Sequence, residues 1–211
     1  MKTALVFPGQ GSQAVGMGRA LADAFPAARE VFARVDEALG QSLSRVIFEG
    51  PEAELTLTAN AQPALMATSL AVVRALESEA GLDIGRDAAF VAGHSLGEYS
   101  ALCAAGALTL EDAARLLRIR GDAMHKAVPI GEGAMAAILG LEFADVAAIA
   151  AEATAEFAAS GGVCEAANDN GGGQRRIFAE RMTGDERRIA ADRKAGLALQ
   201  HAQGEIGRAH V

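Results

Sequence analysis

The sequence predicts an α/β fold: a main unit in which strands run through tight glycine-bearing loops into helices, followed by a smaller α+β unit. Three observations predict it. Residues 3–7 are a short apolar run that breaks at Pro8-Gly9, as a strand entering a loop does. Residues 87–92 repeat the pattern, ending on Gly93 directly ahead of a helical stretch. From Gly131 the texture changes: an apolar stretch at 134–141, an alanine-rich stretch at 143–157 and a second apolar stretch at 163–167 read as strand, helix and strand.

The elements follow in order. Residues 3–7 read as a buried first strand. With one Lys ahead of so short a run, they fall short of a secretory signal. Pro8-Gly9-Gln10-Gly11-Ser12-Gln13 is a loop whose two glycines allow backbone N–H groups to face a ligand, although two glycines serve a plain tight turn equally well. A helix is expected near 16–24. Residues 27–39 place Val31, Phe32, Val35 and Leu39 at helical spacing, and Leu43, Val46 and Ile47 continue into a short helix stopped by Glu49-Gly50-Pro51. Thr58 and Asn60 are N-cap candidates for a long helix through Leu65, Leu70, Val73 and Leu76, ending near Gly81. A buried strand at 88–92 precedes helices at 96–105 and 109–128. The second of these opens with Thr109 and Asp112 in a capping-box-like arrangement.

The chain has 211 residues, about half of them apolar, yet no apolar stretch approaches the roughly 20 residues of a membrane span. A net charge of −8 without a concentrated basic face argues against nucleic acid as a partner. Two cysteines without ligand-pair spacing fit a reducing cytoplasm and imply no metal. The charge balance reverses after Gln174: residues 1–174 carry 11 Lys and Arg against 22 Asp and Glu, whereas 175–211 carry 8 against 5. We therefore expect a main unit at 1–128, a small unit at 129–174 and a tail at 175–211. With apolar residues as sparse as Ile177, Met182 and Ile189, the tail is expected to be weakly helical or disordered.

Gly93-His94-Ser95-Leu96-Gly97 is the strongest chemical signal. A serine on a tight turn between strand and helix has its Oγ pushed outward, and the flanking glycines give the backbone room. The helix beginning there adds its positive end beside Ser95. Loops after parallel strands gather at one sheet edge, so residues 8–13 and the serine turn can face each other across a crevice. A backbone N–H near Gln10 can then join that of Leu96 as an oxyanion hole. Arg115, Arg118 and Arg120 share one helix; Arg115 and Arg120 point about 140° apart, so both cannot face the same way and one can point inward. An inward guanidinium suits a substrate with a free acid group. His94, adjacent to the serine, reads as a structural residue beside the turn, and Met66, Met124 and Met135 as core fillers.

Five segments together resemble the malonyl-CoA:acyl-carrier-protein transacylase family over residues 1 to about 174. They are Phe7-Pro8-Gly9-Gln10-Gly11-Ser12-Gln13, the run from Leu55 through Thr58, Ala59, Asn60, Ala61, Gln62 and Pro63 to Leu65, Gly93-His94-Ser95-Leu96-Gly97-Glu98-Tyr99, Arg120-Gly121 with Met124, and Ala167-Asn168-Asp169-Asn170. The resemblance implies an α/β-hydrolase-like acyltransferase large subdomain with an inserted ferredoxin-like small subdomain, here incomplete. It implies Ser95 as nucleophile, the Gln10 and Leu96 amides as oxyanion hole, Arg120 as the malonyl-carboxylate clamp and Gln62 as a pocket residue. It also implies malonyl-CoA and the phosphopantetheine thiol of acyl carrier protein as substrates, in fatty acid synthesis, with no bound cofactor and a monomeric enzyme. The family continues past the asparagine-rich segment with a histidine after Pro-Phe. His201 and His210 lack those surroundings, so residues 175–211 are expected to be a non-matching, frame-shifted or disordered tail. Two rival expectations follow: a serine esterase or thioesterase, which needs no carboxylate clamp, and a non-catalytic fragment that keeps the serine turn but lacks a base.

Overall fold

The computed structural model describes residues 3–127, 133–169 and 174–180. The chain divides into two compact units, with the break between Lys126 and Ala127.

In the first unit, β1 (Ala4–Phe7) pairs in parallel with β2 (Phe90–Gly93), Ala4 beside Phe90 and Phe7 beside Gly93. Both strands lie where the apolar runs predicted them, but they are not buried: Val6 is 74% and Phe90 63% exposed. The pleat explains this. Alternate residues face opposite sides, so Leu5, Phe7 and Val91 join Val73, Ile84 and Ala101 in one apolar cluster while Val6 and Phe90 face away from it.

The helices are α1 (Arg19–Ala24), α2 (Pro26–Leu39), α3 (Leu43–Glu49), α4 (Glu52–Thr56), α5 (Thr58–Ala80), α6 (Ile84–Asp87), α7 (Gly97–Ala104) and α8 (Leu110–Ala127). The sequence pattern did not suggest α4, because its single inward residue, Leu55, leaves no period to read. Helix α5 is the centre of the unit. Every residue from Asn60 to Ala67 is buried, which leaves that stretch no solvent face. Ala28, Val31, Phe32 and Val35 of α2 and Ala113, Ala114 and Leu117 of α8 join it in one core. Thr109 caps α8 as expected: its Oγ1 accepts from the Asp112 N–H at 3.1 Å and its hydroxyl donates to Asp112 Oδ2 at 2.8 Å. The cap expected for α5 is corrected. Leu57 holds the N-cap position and no side chain caps it, while Asn60 lies within the helix and donates from Nδ2 to the Glu54 carbonyl at 2.8 Å.

In the second unit, β3 (Gly133–Leu139), α9 (Phe143–Phe157), β4 (Val163–Asp169) and β5 (Gln174–Glu180) form an antiparallel sheet of order β3-β5-β4 with a helix against it. The Thr154 hydroxyl of α9 is tied to β4 in both directions, accepting from the Cys164 N–H and donating to the Cys164 carbonyl, each at 2.8 Å. Strand β5 corrects the expectation of weak helix or disorder for residues 175–180. Sparse apolar residues do argue against a helical core face, but a middle strand is held by backbone hydrogen bonds on both edges and needs no such face. Residues 181–211, with His201 and His210, lie outside the described residues. Among the described residues no helix is long and apolar enough to cross a membrane.

Leu117 is fully buried where α8 meets the core. Leu117→Ala should cost about 2–5 kcal/mol, read as a lower urea midpoint at unchanged slope; a shift within error would mean that α8 contributes little to holding the unit together.

Candidate active site

The serine turn is built by steric necessity. Ser95, between β2 and α7, is the one described non-glycine residue with positive φ, at 57°. This left-handed backbone costs energy in any residue with a Cβ. The turn is closed by three short hydrogen bonds: the Gly97, Glu98 and Tyr99 amides donate to the His94, Ser95 and Leu96 carbonyls at 2.9, 3.1 and 3.1 Å. The Leu96 amide is not among these donors, and the Leu96 side chain is buried beneath the turn. Neither flanking glycine tolerates a side chain. A Cβ on Gly93 would lie 2.0 Å from the Gly97 carbonyl, and one on Gly97 2.4 Å from the Phe7 carbonyl oxygen.

The loop after β1 rests on this turn. The His94 amide donates to the Phe7 carbonyl at 3.2 Å, and the His94 ring lies over Gly9 so closely that a Cβ there would be 2.5 Å from Nδ1. His94 thus packs beside the turn, as its position predicted. Gln10 reaches from this loop to the first residue of α5, its Nε2 donating to Thr58 Oγ1 at 3.4 Å. The two loops that follow the parallel strands therefore meet, which is the arrangement expected at the edge of a parallel sheet.

The three arginines of α8 separate cleanly. Arg115 stays at the surface against Asp112. Arg120 turns inward and donates from Nη2 to Ser95 Oγ at 2.9 Å and from Nη1 to Gln62 Oε1 at 2.5 Å. Gln62 is fully buried, and its Nε2 faces Met124 Sδ at 3.3 Å. Arg118 takes a different side: Nη1 donates to Asn60 Oδ1 and Nη2 to Gln41 Oε1, both at 2.8 Å. Its burial pushes the guanidinium below its ordinary pKa, with Asp122 acting in the opposite sense. Ser95, Arg120 and Gln62, singled out from the sequence, are thus in direct contact, and Leu96 and Gln10 lie on the two loops around them. The Arg118, Asn60 and Gln41 cluster and the Thr58 contact escaped the sequence reading. The available signal was the pair of polar residues Asn60 and Gln62 in an otherwise apolar stretch of a buried helix.

A serine oxygen beside an inward guanidinium held by a neutral amide suits a nucleophile whose substrate carries an anion close to the reacting carbon. The acyl transferase domain family matches residues 4–158. The chain belongs to that family. It is 50% identical over 173 residues to a malonyl CoA-acyl carrier protein transacylase of Bacillus subtilis, covering 82% of this chain and 52% of that protein. It superposes on the crystal structure of the acyl-carrier-protein-S-malonyltransferase from Bartonella henselae with a TM-score of 0.83 at 54% identity, covering 95% of this chain and 60% of that one. A malonyl-transacylase solved in complex with its type II PKS acyl-carrier protein superposes with a TM-score of 0.79 at 39% identity, over 96% of this chain and 60% of that one. The chain thus spans between half and three-fifths of the length of these relatives.

In this acyl transferase domain α8 lies tight against α5 at Gly121, where an added Cβ would stand 2.5 Å from Ala59 Cα and 2.8 Å from Ala59 N. These are backbone atoms and cannot turn aside. Gly121→Ala should cost about 1–3 kcal/mol of stability and draw Arg120 away from Ser95. Urea unfolding together with a crystal structure of the variant checks both, and an unmoved Arg120 at full stability would contradict the packing argument.

Proposed function

We propose that the domain carries the acyl-accepting half of a malonyl-CoA:acyl-carrier-protein transacylase. The observation that carries this reading is the 2.9 Å hydrogen bond from Arg120 to Ser95 Oγ. It puts a carboxylate-binding fork beside the nucleophile, and a malonyl thioester has its carboxylate one methylene from the carbon under attack. Ser95 Oγ adds to the thioester carbonyl, the oxyanion is held by the Leu96 and Gln10 amides, and Arg120 takes the malonyl carboxylate while Gln62 orients the guanidinium. The intermediate collapses as the C–S bond breaks, leaving a malonyl ester on Ser95. A base accepts the serine proton and passes it to the departing CoA thiolate. The phosphopantetheine thiol of acyl carrier protein then attacks the ester, releasing Ser95, and the cycle is ping-pong. The solved complex of a related transacylase with its carrier protein supports that second substrate.

Within this reading the first unit is the α/β-hydrolase-like large subdomain, supported by its parallel strands and serine turn, and residues 129–174 open a ferredoxin-like small subdomain, supported by the antiparallel sheet with one helix against it. The enzyme works as a cytoplasmic monomer on diffusible substrates of fatty acid synthesis, without a bound cofactor.

Brief mixing of the chain with malonyl-CoA should place a malonyl group on the Ser95 peptide, located by mass spectrometry. Label on another residue, or undiminished label in Ser95→Ala, would reject the nucleophile.

Arg120→Ala should slow malonylation of Ser95 far more than acetylation from acetyl-CoA, because a charge-assisted pair to the acyl carboxylate is worth roughly 1.5–3 kcal/mol. Equal losses for the two thioesters would favour the esterase alternative, in which no carboxylate is recognised.

A further inference from the structure

Arg118 is an uncommon choice for its place. It is half-buried on the core side of α8, and among the described residues no carboxylate lies within ion-pair distance of it. Its guanidinium is divided between two neutral amide oxygens, Asn60 of α5 and Gln41 of the α2–α3 connection, each at 2.8 Å. Asn60 is nearly fully buried and has its own second anchor, the Glu54 carbonyl. A packing role alone is filled more cheaply by an apolar side chain, since partly desolvating a charge that Asp122 offsets only at a distance is costly.

The geometry gives the arginine a purpose. Helices α5 and α8 touch backbone to backbone at Ala59 and Gly121. That crossing and the apolar packing of Ala113, Ala114 and Leu117 are not directional, and they leave α8 some freedom to roll on α5. Two guanidinium–amide pairs limit that freedom, Arg118 to Asn60 on one flank and Arg120 to Gln62 on the other. Each pair joins residues two apart on both helices, so the two are directed to opposite sides of the crossing. The Arg120 pair holds the working group. The Arg118 pair touches neither Ser95 nor the space beside it.

We infer that Arg118 is a positioning residue for acyl selection: by forking Asn60 and Gln41 it fixes the roll of α8 on α5, and so the place of the Arg120 guanidinium beside Ser95. This rests on the malonyl-transfer reading above and extends it to a residue outside the site. Displacement of a substrate-orienting group by about 1 Å can cost on the order of 100-fold in rate, so a small roll of α8 reaches the acyl preference.

The test compares Ser95 acylation by malonyl-CoA and by acetyl-CoA, followed by intact mass, together with the side-chain Nε–H signal of Arg120 in nitrogen-15 NMR spectra of the same proteins. Arg118→Met should lower the malonyl-to-acetyl rate ratio about tenfold and move or broaden the Arg120 signal. Arg118→Lys should recover little, because a single ammonium nitrogen lacks the planar fork that puts Nη1 on Asn60 and Nη2 on Gln41. In an Arg120→Ala background Arg118→Met should change the ratio no further, since it acts through Arg120. A general structural role would lower both rates alike in both backgrounds, and that result overturns the inference. So does full recovery in Arg118→Lys, which would make Arg118 a source of charge and not of position. If Arg118→Met does not fold, Gln41→Ala releases one arm of the fork at the unit's surface; a several-fold fall in the ratio supports the inference and an unchanged ratio overturns it. Failure of the wild-type chain to malonylate Ser95 would refute the transfer reading, and the Arg120 signal, unmoved or displaced in Arg118→Met, would still decide the positioning role.

Discussion

The site depends on the closeness with which α8 crosses the start of α5. A glycine at Gly121 lets the two backbones touch at Ala59, and that contact brings a long cationic side chain of one helix within reach of a serine carried by another part of the chain. The first turns of α5 serve as a hub for the rest. Thr58 receives Gln10 from the loop after β1, Ala59 receives Gly121, Asn60 receives Arg118 and Gln62 receives Arg120. Four of the first five residues of α5 thus register the β1 loop, α8 and the α2–α3 connection against one rod. The rod can bear that load because its stretch from Asn60 to Ala67 is buried on all sides, so it cannot move without opening the core.

The serine turn is rigid for a different reason. Its strained residue is held by neighbours that leave no space: Gly93 against Gly97, Gly97 against Phe7 and Gly9 against His94. Backbone strain of this kind is on the order of 1–3 kcal/mol and persists only where the surroundings over-determine it. Here the surroundings are mostly backbone atoms, which have no rotamers to yield. The strain at Ser95 and the three glycines are one feature, and it presents Oγ at a fixed place toward which Arg120 can be aimed.

The parts of this arrangement that follow from local rules were legible in the sequence. The serine turn announces itself by glycine spacing between an apolar run and a helix, and the Thr109 cap by its partner three residues on. The long helices were readable from their apolar period, and the inward turn of one arginine from simple angular arithmetic. What was hidden depends on pairing across distance. Nothing local distinguishes Arg118 from a surface arginine until Gln41 and Asn60 are brought to it. The exposure of Val6 and Phe90 was missed because an apolar strand looks the same whether one face is covered or two. Strand β5 was missed because residues 175–180 pair through backbone atoms, which sparse and charged side chains do not reveal.

The choice of arginine partners orders the electrostatics of the domain. Arg34, Arg74, Arg86 and Arg115 lie near water and sit on carboxylates, where such pairs contribute little and neutralise each charge locally. Arg118 and Arg120, the two that turn inward, meet only amide and hydroxyl oxygens among the described residues. An amide oxygen orients a guanidinium as well as a carboxylate does but leaves its charge in place. A carboxylate partner for Arg120 would compete directly with the acid group of a substrate, and the substrate would have to displace it. With Gln62 in that role, the fork is aimed yet still cationic, in a chain whose net charge is −8. Of the two inward arginines that meet no carboxylate among the described residues, Arg120 is the one whose guanidinium lies beside the serine.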